Sequence, residues 1–291
     1  MLFLASKLIS SGFKGDHMND KKLYKIGEAA KLLNVSTKTL RFYDKVGIIK
    51  PDVVCEKGYR CYYYDTLLLM PVVQYYKQMG FSLAQMKSVI NGGSYNGIKT
   101  LFREKIEELK IEQEEWYIKD KSVKDWKALI DEAVVVLENN HTEPSVKFKK
   151  ERTYVFQEQP FYNNTISKVI NIEFTKYIQS INNAITGAVM VMFPNSTNRI
   201  DGTGGSIIML QEAILPLDDT YAKTIGGNLY ISCYHVGGHK SIKNTYYKIF
   251  NYATSHNFKA SEASIERYVV DYWTTKNKDL FVTEVLVEVY R

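Results

Sequence analysis

Two sets of residues in this 291-residue chain have types and spacings that could do chemistry. The first centres on Glu266 in Ala263-Ser-Ile-Glu-Arg-Tyr-Val-Val270. In a strand, alternation puts Ser264, Glu266, Tyr268 and Val270 on one face. A carboxylate set among Tyr and Val must find a partner or take up a proton, because an unpaired buried charge is costly. A lipophilic cation is one such partner, and aromatic faces would add cation–π attraction. Pairing with Arg267 or a lysine at the surface is the other reading of the same spacing. A carboxylate beside a phenol could also serve as base and acid. No Ser-His-Asp signature, metal-ligand spacing or nucleotide loop accompanies the pair. Gly202-Thr-Gly-Gly205 does not join a strand to a helix and reads as a plain loop.

The second set is basic and polar. Ser36 is placed to N-cap a helix over Thr37 to Asp44, since its hydroxyl can satisfy a free backbone N–H. That helix would present Thr37, Lys38 and Arg41 in its N-terminal half, where a recognition helix meets base edges and phosphates. Downstream, Arg60 and the tyrosine hydroxyls of Gly58-Tyr-Arg-Cys-Tyr-Tyr-Tyr64 can reach phosphates, contacts that set register rather than sequence choice.

The elements that position this second set follow from periodicity. Ile26 to Leu33 keeps its apolar residues near one helical face, and Asn34-Val35 ends the run. Two short helices with a tight turn make a helix-turn-helix. The aromatic stretch around Gly58 predicts a small wing. Asp65 is placed to cap a third helix running to Met79, with Pro71 tolerable only in a first turn or at a kink. Ser82 is placed to cap a fourth, Leu83 to Ile90.

Charge divides the chain in the same way. Residues 18–100 carry 13 Lys or Arg against 6 Asp or Glu, residues 101–144 carry 7 against 12, and residues 145–291 carry 16 against 13. A basic first segment fits a polyanionic partner. The composition is that of a globular protein, and the three cysteines are too few and too scattered for a disulfide framework, which points to a reducing, cytoplasmic setting. Residues 1–17 lack a charged start and a cleavage site, and are set apart as an extension of uncertain origin. No run of apolar residues is long enough for a membrane helix.

Tyr24-Lys-Ile-Gly-Glu-Ala-Ala-Lys, Val35-Ser-Thr-Lys-Thr-Leu-Arg-Phe-Tyr-Asp, Gly47-Ile-Ile-Lys-Pro, Gly58-Tyr-Arg-Cys-Tyr and Lys77-Gln-Met-Gly-Phe-Ser-Leu-Ala-Gln-Met resemble the N-terminal domain of MerR-family transcription regulators. The resemblance implies DNA-backbone contacts by Arg41, Tyr43, Tyr59 and Arg60, with Tyr62 also in the wing and Lys77 as a further phosphate contact. Phe42 stands where a tyrosine is frequent, which removes one hydroxyl, and Cys61 replaces another. Metal-sensing members carry cysteines near the end of the helix that follows. None lies between residues 62 and 232 here, so a metal sensor is not expected, and no cofactor is implied.

That helix is the next element. Thr100 to Glu138 contains neither Pro nor Gly. Positions 102, 109, 116, 123, 130 and 137 are Phe102, Leu109, Trp116, Val123, Ile130 and Leu137, all apolar, while a second row at 106, 113, 120, 127 and 134 is mixed. This is a narrow seam on a helix of roughly 55–60 Å. It needs a partner, and the resemblance implies an antiparallel coiled coil between two subunits. Two recognition helices at fixed spacing would read a pseudo-palindromic site. Residues 141–151 read as a linker.

From Arg152 onward one element order occurs twice, about 75 residues apart. Strand Arg152–Gln159, helix Ser167–Ser180 and strands Gly187–Phe193 and Ser206–Leu215 are followed by strand Asn228–Val236, helix Ser241–Ser255 and strands Glu262–Tyr272 and Leu280–Tyr290. Two β-α-β-β halves can join in one curved antiparallel sheet with both helices on one face. The opposite face then becomes a concave cleft, a usual place for a small-molecule site.

Residues 152–291 resemble the GyrI-like effector domain of multidrug-sensing MerR activators, most clearly from Asn228 to Glu288. That resemblance places a buried glutamate at Glu266 and a pocket aromatic at Phe281. It also implies an effector pocket that Met190, Met192, Ile207, Met209 and Tyr268 would help to line, with methionine suited to adaptable recognition. The fold class expected is α+β, with a winged helix-turn-helix over 18–99, a coiled-coil dimerisation helix over 100–140 and a duplicated β-α-β-β domain over 152–291. The function implied is a dimeric activator that untwists or bends promoter DNA for RNA polymerase when a small, lipophilic cation binds. Hydrolysis of small electrophiles, known for some GyrI-like domains, and architectural DNA binding without an effector are the alternatives.

Overall fold

The computed structural model describes residues 22–54, 57–161 and 172–291. The extension at 1–17 and the first residues of the helix expected from Ser167 lie outside them. The chain divides into two units, residues 1–113 and 114–291.

In the first unit, β1 (Leu23–Lys25) and β2 (Val53–Val54) flank β3 (Arg60–Tyr63) in a three-stranded antiparallel sheet. Helices α1 (Ile26–Leu32) and α2 (Thr37–Val46) form the helix-turn-helix. Ser36 caps α2 as expected, its Oγ accepting from the Thr39 N–H at 3.0 Å. Gly47 ends α2 at φ +75°, a conformation that favours glycine. The single helix expected from Asp65 to Met79 is instead two, α3 (Tyr64–Leu67) and α4 (Leu69–Gln78). The break at Leu68 puts Pro71 in the first turn of α4, where its missing N–H costs no helical bond. Asp65 sits inside the first turn of α3, and Tyr63 is the cap residue. Ser82 and Gln85 form a reciprocal capping box at the start of α5 (Leu83–Ile90). Leu40, Ile49, Tyr62, Leu67, Met70, Val73 and Met86 make the core.

Helix α6 covers Tyr95–Asn139, starting five residues before the expected position and taking in Gly97. The boundary between the units falls within it.

The second unit holds an eight-stranded antiparallel sheet: β4 (Ser145–Lys149), β5 (Arg152–Phe161), β6 (Ile185–Phe193), β7 (Gly205–Ala213), β8 (Ala222–Ile225), β9 (Asn228–Val236), β10 (Lys259–Val270) and β11 (Val282–Tyr290). Its spatial order is β4-β9-β11-β10-β6-β7-β5-β8. The order is symmetric about the β10–β6 seam, as a duplication requires. Each half is flanked by the short strand that precedes the other half. Those two edge strands were not anticipated; β4 lies in the stretch read as a linker, where Ser145-Val-Lys-Phe-Lys alternates and pairs with β9.

Helices α7 (Ile172–Ser180) and α9 (Ile242–Ser255) cover one face of the sheet. Phe174 and Ile178 of α7 pack on Val155, Val189, Val191 and Met209. Tyr246, Ile249 and Ala253 of α9 pack on Ile231, Cys233, Val285 and Val287. A six-residue helix, α8 (Ser196–Asp201), precedes the Gly202–Gly205 loop, in a stretch for which no element was expected. The other face carries Tyr154, Met190, Ile208, Leu210, Tyr230, Ile265 and Leu286. Leu129, Ala133 and Val136 of α6 pack at one end of it, on Val269, Val270 and Val282.

Candidate effector and nucleic-acid sites

Register decides which residues share a face. Glu266 lies opposite Val191 on one side and Val285 on the other. Both belong to the helix-covered face, so Glu266 points under the helices. Arg267 lies opposite Met190 and Glu284, on the other face. The expectation of a carboxylate in a cleft facing away from the helices is therefore corrected. Alternation groups Ser264, Glu266 and Tyr268 together, but the apolar surfaces of α7 and α9 select which side that group takes.

Glu266 is fully buried, at 0% exposure, and every lone-pair direction is used. Its Oε1 accepts from Arg199 Nε at 2.6 Å and from the Tyr246 hydroxyl at 3.0 Å. Its Oε2 accepts from Arg199 Nη2 at 3.3 Å and from the Tyr268 hydroxyl at 2.8 Å. The Arg199 guanidinium also lies over the Phe193 ring, 5.3 Å from its centroid. Burial pushes the Glu266 carboxyl up, but the charge and hydrogen bonds of Arg199, with the Tyr268 hydroxyl, outweigh it and hold the group below its ordinary value. Burial pushes both phenols up, and the neighbouring carboxylate reinforces it, so they remain donors. The His239 ring stands 5.2 Å from Tyr268 and 6.1 Å from Phe281, and burial lowers its pKa to about 4.

The remaining effector candidates divide between the faces. Ile207 and Met209 lie on the Glu266 side, and Phe281 joins them through His239. Met190 and Met192 lie on the opposite side, paired with Arg267 and Ile265. One pocket on one face therefore cannot be lined by both methionines and Glu266. The opposite face has its own carboxylate. Glu284 accepts from Arg267 Nε at 2.7 Å and from the Ser232 hydroxyl at 2.5 Å, and it pairs with Lys147. Burial raises this carboxyl, but Arg267 and Lys147 override it and bring it to about 2. Arg267 also pairs with Glu132 of α6, whose Oε1 accepts from the Tyr234 hydroxyl at 2.8 Å.

Sequence reasoning missed Arg199, Tyr246, Glu284 and Glu132. A signal for Arg199 existed: Asn195 before Ser196 and Gly202 after Asp201 are helix start and stop residues. In the structure Asn195 Oδ1 accepts from the Thr197 N–H at 2.8 Å, and Gly202 sits at φ +70°.

In the first unit, Thr37, Lys38, Arg41 and Phe42 are exposed on α2, beside its cap Ser36. Tyr59 of the wing and Lys77 of α4 are exposed as well. Arg60 ties the wing to α2, its Nε donating to Asp44 Oδ2 at 2.7 Å. Tyr43 is buried in the core. Tyr62 is fully buried, and its hydroxyl has no hydrogen-bond partner among the described residues. Its expected contact with DNA is corrected, because β3 turns that ring inward into the core of the first unit.

On α6, Phe102 packs on Phe81 and Tyr76, with ring centroids 5.0 and 6.0 Å apart, and Leu137 packs on the C-terminal sheet. Both ends of the expected seam are thus spent within their own units. Leu109, Trp116, Val123 and Ile130 remain exposed, Trp116 at 64% and Val123 at 70%. Among the described residues, no helix is long and apolar enough to cross a membrane, and no group of three His, Cys, Asp or Glu is placed to hold a metal ion.

A helix-turn-helix with a basic exposed helix, joined by α6 to a duplicated sheet with buried ion pairs, defines a ligand-responsive, DNA-binding transcription regulator. The GyrI-like small molecule binding domain matches residues 142–289, and the chain belongs to that family; residues 25–62 match the MerR family regulatory protein. The chain is 23% identical to the multidrug-efflux transporter 2 regulator of Bacillus subtilis, over 92% of this chain and 97% of that one. It is 42% identical over 65 residues to the multidrug-efflux transporter 1 regulator of the same organism, covering 22% of this chain and 23% of that one. Among solved structures, the regulator EcmrR in a DNA complex aligns with 92% of this chain and 100% of its own, at 14% identity and TM-score 0.45.

Proposed function

We propose that this chain works as a homodimeric activator whose effector is anchored at Glu266. The stripe Leu109, Trp116, Val123 and Ile130 supports a second copy as the partner of α6, since four exposed apolar residues on one helix face call for cover. Thr37, Lys38, Arg41, Tyr59 and Lys77 would meet promoter DNA, and the activated complex would present it to RNA polymerase.

One observation carries the reading. Glu266 and Arg267 are consecutive on β10 and serve opposite faces: one holds the buried ion pair, the other grips Glu132 of α6. A ligand that shifts β10 at Glu266 would alter the hold on the helix that leads to the DNA-binding unit. A ligand can move such an equilibrium only by its differential affinity for the two states.

In vitro transcription from the chain's own upstream promoter tests this, with and without lipophilic cations, for wild type and Glu266→Gln. Activation in wild type that is lost in Glu266→Gln, while DNA binding persists, is expected. DNA binding with no response to any cation would overturn the anchoring role.

A further inference from the structure

We infer that the first unit carries a second ligand site, for a nucleoside monophosphate, in the concavity where the end of α2 meets α4 and α5. Every residue of it lies within residues 1–113, so it stands or falls apart from the Glu266 site. The concavity measures about 460 Å³, and small-molecule sites run from roughly 300 to 1,000 Å³. Gly47 and Ile48 enter it from the end of α2, Leu69 from α4, and Lys87 and Ile90 from α5. Ile48 and Ile90 are buried and Leu69 is partly buried, so the floor is aliphatic and suits a flat ring.

Two lysines supply the charge. A Cβ placed on Gly47 would stand 3.2 Å from Lys87 Nζ and 3.6 Å from Lys50 Cε, so both side chains converge over one glycine. Among the described residues, neither ammonium joins an ion pair or donates a hydrogen bond. The negative end of α2 lies at Gly47 and accounts for one of them. Two like charges brought together repel, and a dianion between them relieves both. A phosphomonoester carries about −1.5 to −2 at pH 7, whereas a phosphodiester of the DNA backbone carries a single charge. Asp65 stands on the same rim and is exposed. It repels a bare anion, and it accepts from the amino edge of a base as carboxylates do elsewhere. Phosphate, flat ring and N–H donors together are the chemistry of a nucleotide. Its occupancy would tie the end of α2 to α5, and so bear on how α2 is presented.

Calorimetry on the full chain tests the site, with GMP as the probe and inorganic phosphate and guanosine as its parts. GMP is expected to bind at least ten-fold tighter than either part and to raise the Tm saturably. Lys50→Met and Lys87→Met are each expected to weaken GMP about five-fold or more, with circular dichroism unchanged. Lys87→Arg keeps the charge and is expected to retain most of the affinity. Asp65→Asn is expected to weaken GMP while inorganic phosphate binds as well or better. GMP no tighter than inorganic phosphate overturns the site. Lysine variants that bind GMP like wild type overturn it too, and a lowered Tm in Lys87→Met without that loss gives the lysine to the helix end alone. Salt titration of DNA binding separates the other source of phosphate. Lys87→Met is expected to leave the slope of log K against log salt unchanged. A slope flattened by about one, with no GMP bound, gives the lysines to DNA and overturns the nucleotide.

Discussion

Arg267 of β10 and Glu132 of α6 form an ion pair that joins the effector sheet to the long helix. Arg267 is nearly buried, and its other contact, Glu284, is more so. Charge in this position is costly to leave alone. The pair is thus a contact whose two sides must move together or part at a price.

Glu132→Gln should separate effector binding from transcriptional response. The amide keeps the acceptor for the Tyr234 hydroxyl but loses the charge. Cation affinity is expected to stay within about two-fold of wild type, and the activation ratio to fall several-fold. Parallel calorimetry and transcription assays would show whether both fall together, which would sink the coupling.

Val123→Glu should break the dimer. A carboxylate at a 70%-exposed position of the stripe is harmless to a monomer and repulsive across a two-stranded seam. Sedimentation should show a monomer at concentrations where wild type is dimeric, with unchanged Tm for the second unit. Loss of dimerisation should weaken DNA binding by roughly ten-fold or more, as the two half-sites are no longer bound together.

Arg41→Ala and Tyr62→Phe should behave oppositely on DNA. Removing Arg41 takes away one exposed cation, so affinity drops and the slope of log K against log salt flattens by about one. Removing the Tyr62 hydroxyl deletes a buried group that has no partner among the described residues. DNA affinity should not change, and stability should hold or rise by about 1 kcal/mol. Weaker DNA binding by Tyr62→Phe would show that the ring turns outward in the complex.

Acid should destabilise the second unit in two stages. The His239 imidazole has a folded pKa near 4 against an ordinary 6.5. The unfolded chain takes that proton first, so stability is lost as pH falls from about 6.5 to 4. Glu284, near 2 when folded against 4.5 ordinarily, adds a further loss below pH 4.5. Thermal unfolding from pH 8 to 4 should show the first stage, and His239→Gln should flatten it.

Asp271→Asn should stabilise the chain at neutral pH. Burial raises this carboxyl above its ordinary value, and its Oδ2 has no partner among the described residues. A raised carboxyl weakens the fold while ionised, and the penalty is relieved as pH falls. The amide oxygen can still accept from the Trp273 N–H, as Oδ1 does at 3.1 Å. A Tm higher by a few degrees at pH 7, roughly what 1 kcal/mol provides, with the difference shrinking in acid, is the expected result.

Local chemistry made much of the first unit legible. Caps such as Ser36 and Ser82 act within one turn, so a short window contains both partners. The break at Leu68 was not legible, because Pro71 permits a helix start or a kink and only packing selects between them. The same limit applied to α6. Its apolar row at seven-residue spacing reads as one seam, yet Phe102 and Leu137 are taken by cores that form from distant segments. Arg199 escaped notice because a six-residue helix is too short to show an apolar period, and only its flanking Asn195 and Gly202 announce it.

The sequence by itself determined the helix-turn-helix, the long helix, the duplicated strand order and the grouping of Ser264, Glu266 and Tyr268. Each follows from spacing along the chain, which backbone geometry converts directly into faces. Only the tertiary structure decided that this group lies under the helices, that Met190 and Met192 oppose it, and that Arg199, 67 residues away, neutralises the carboxylate. Those outcomes depend on which sheet face the helices bury and on pairing across distant segments. Alternation along a strand fixes neither.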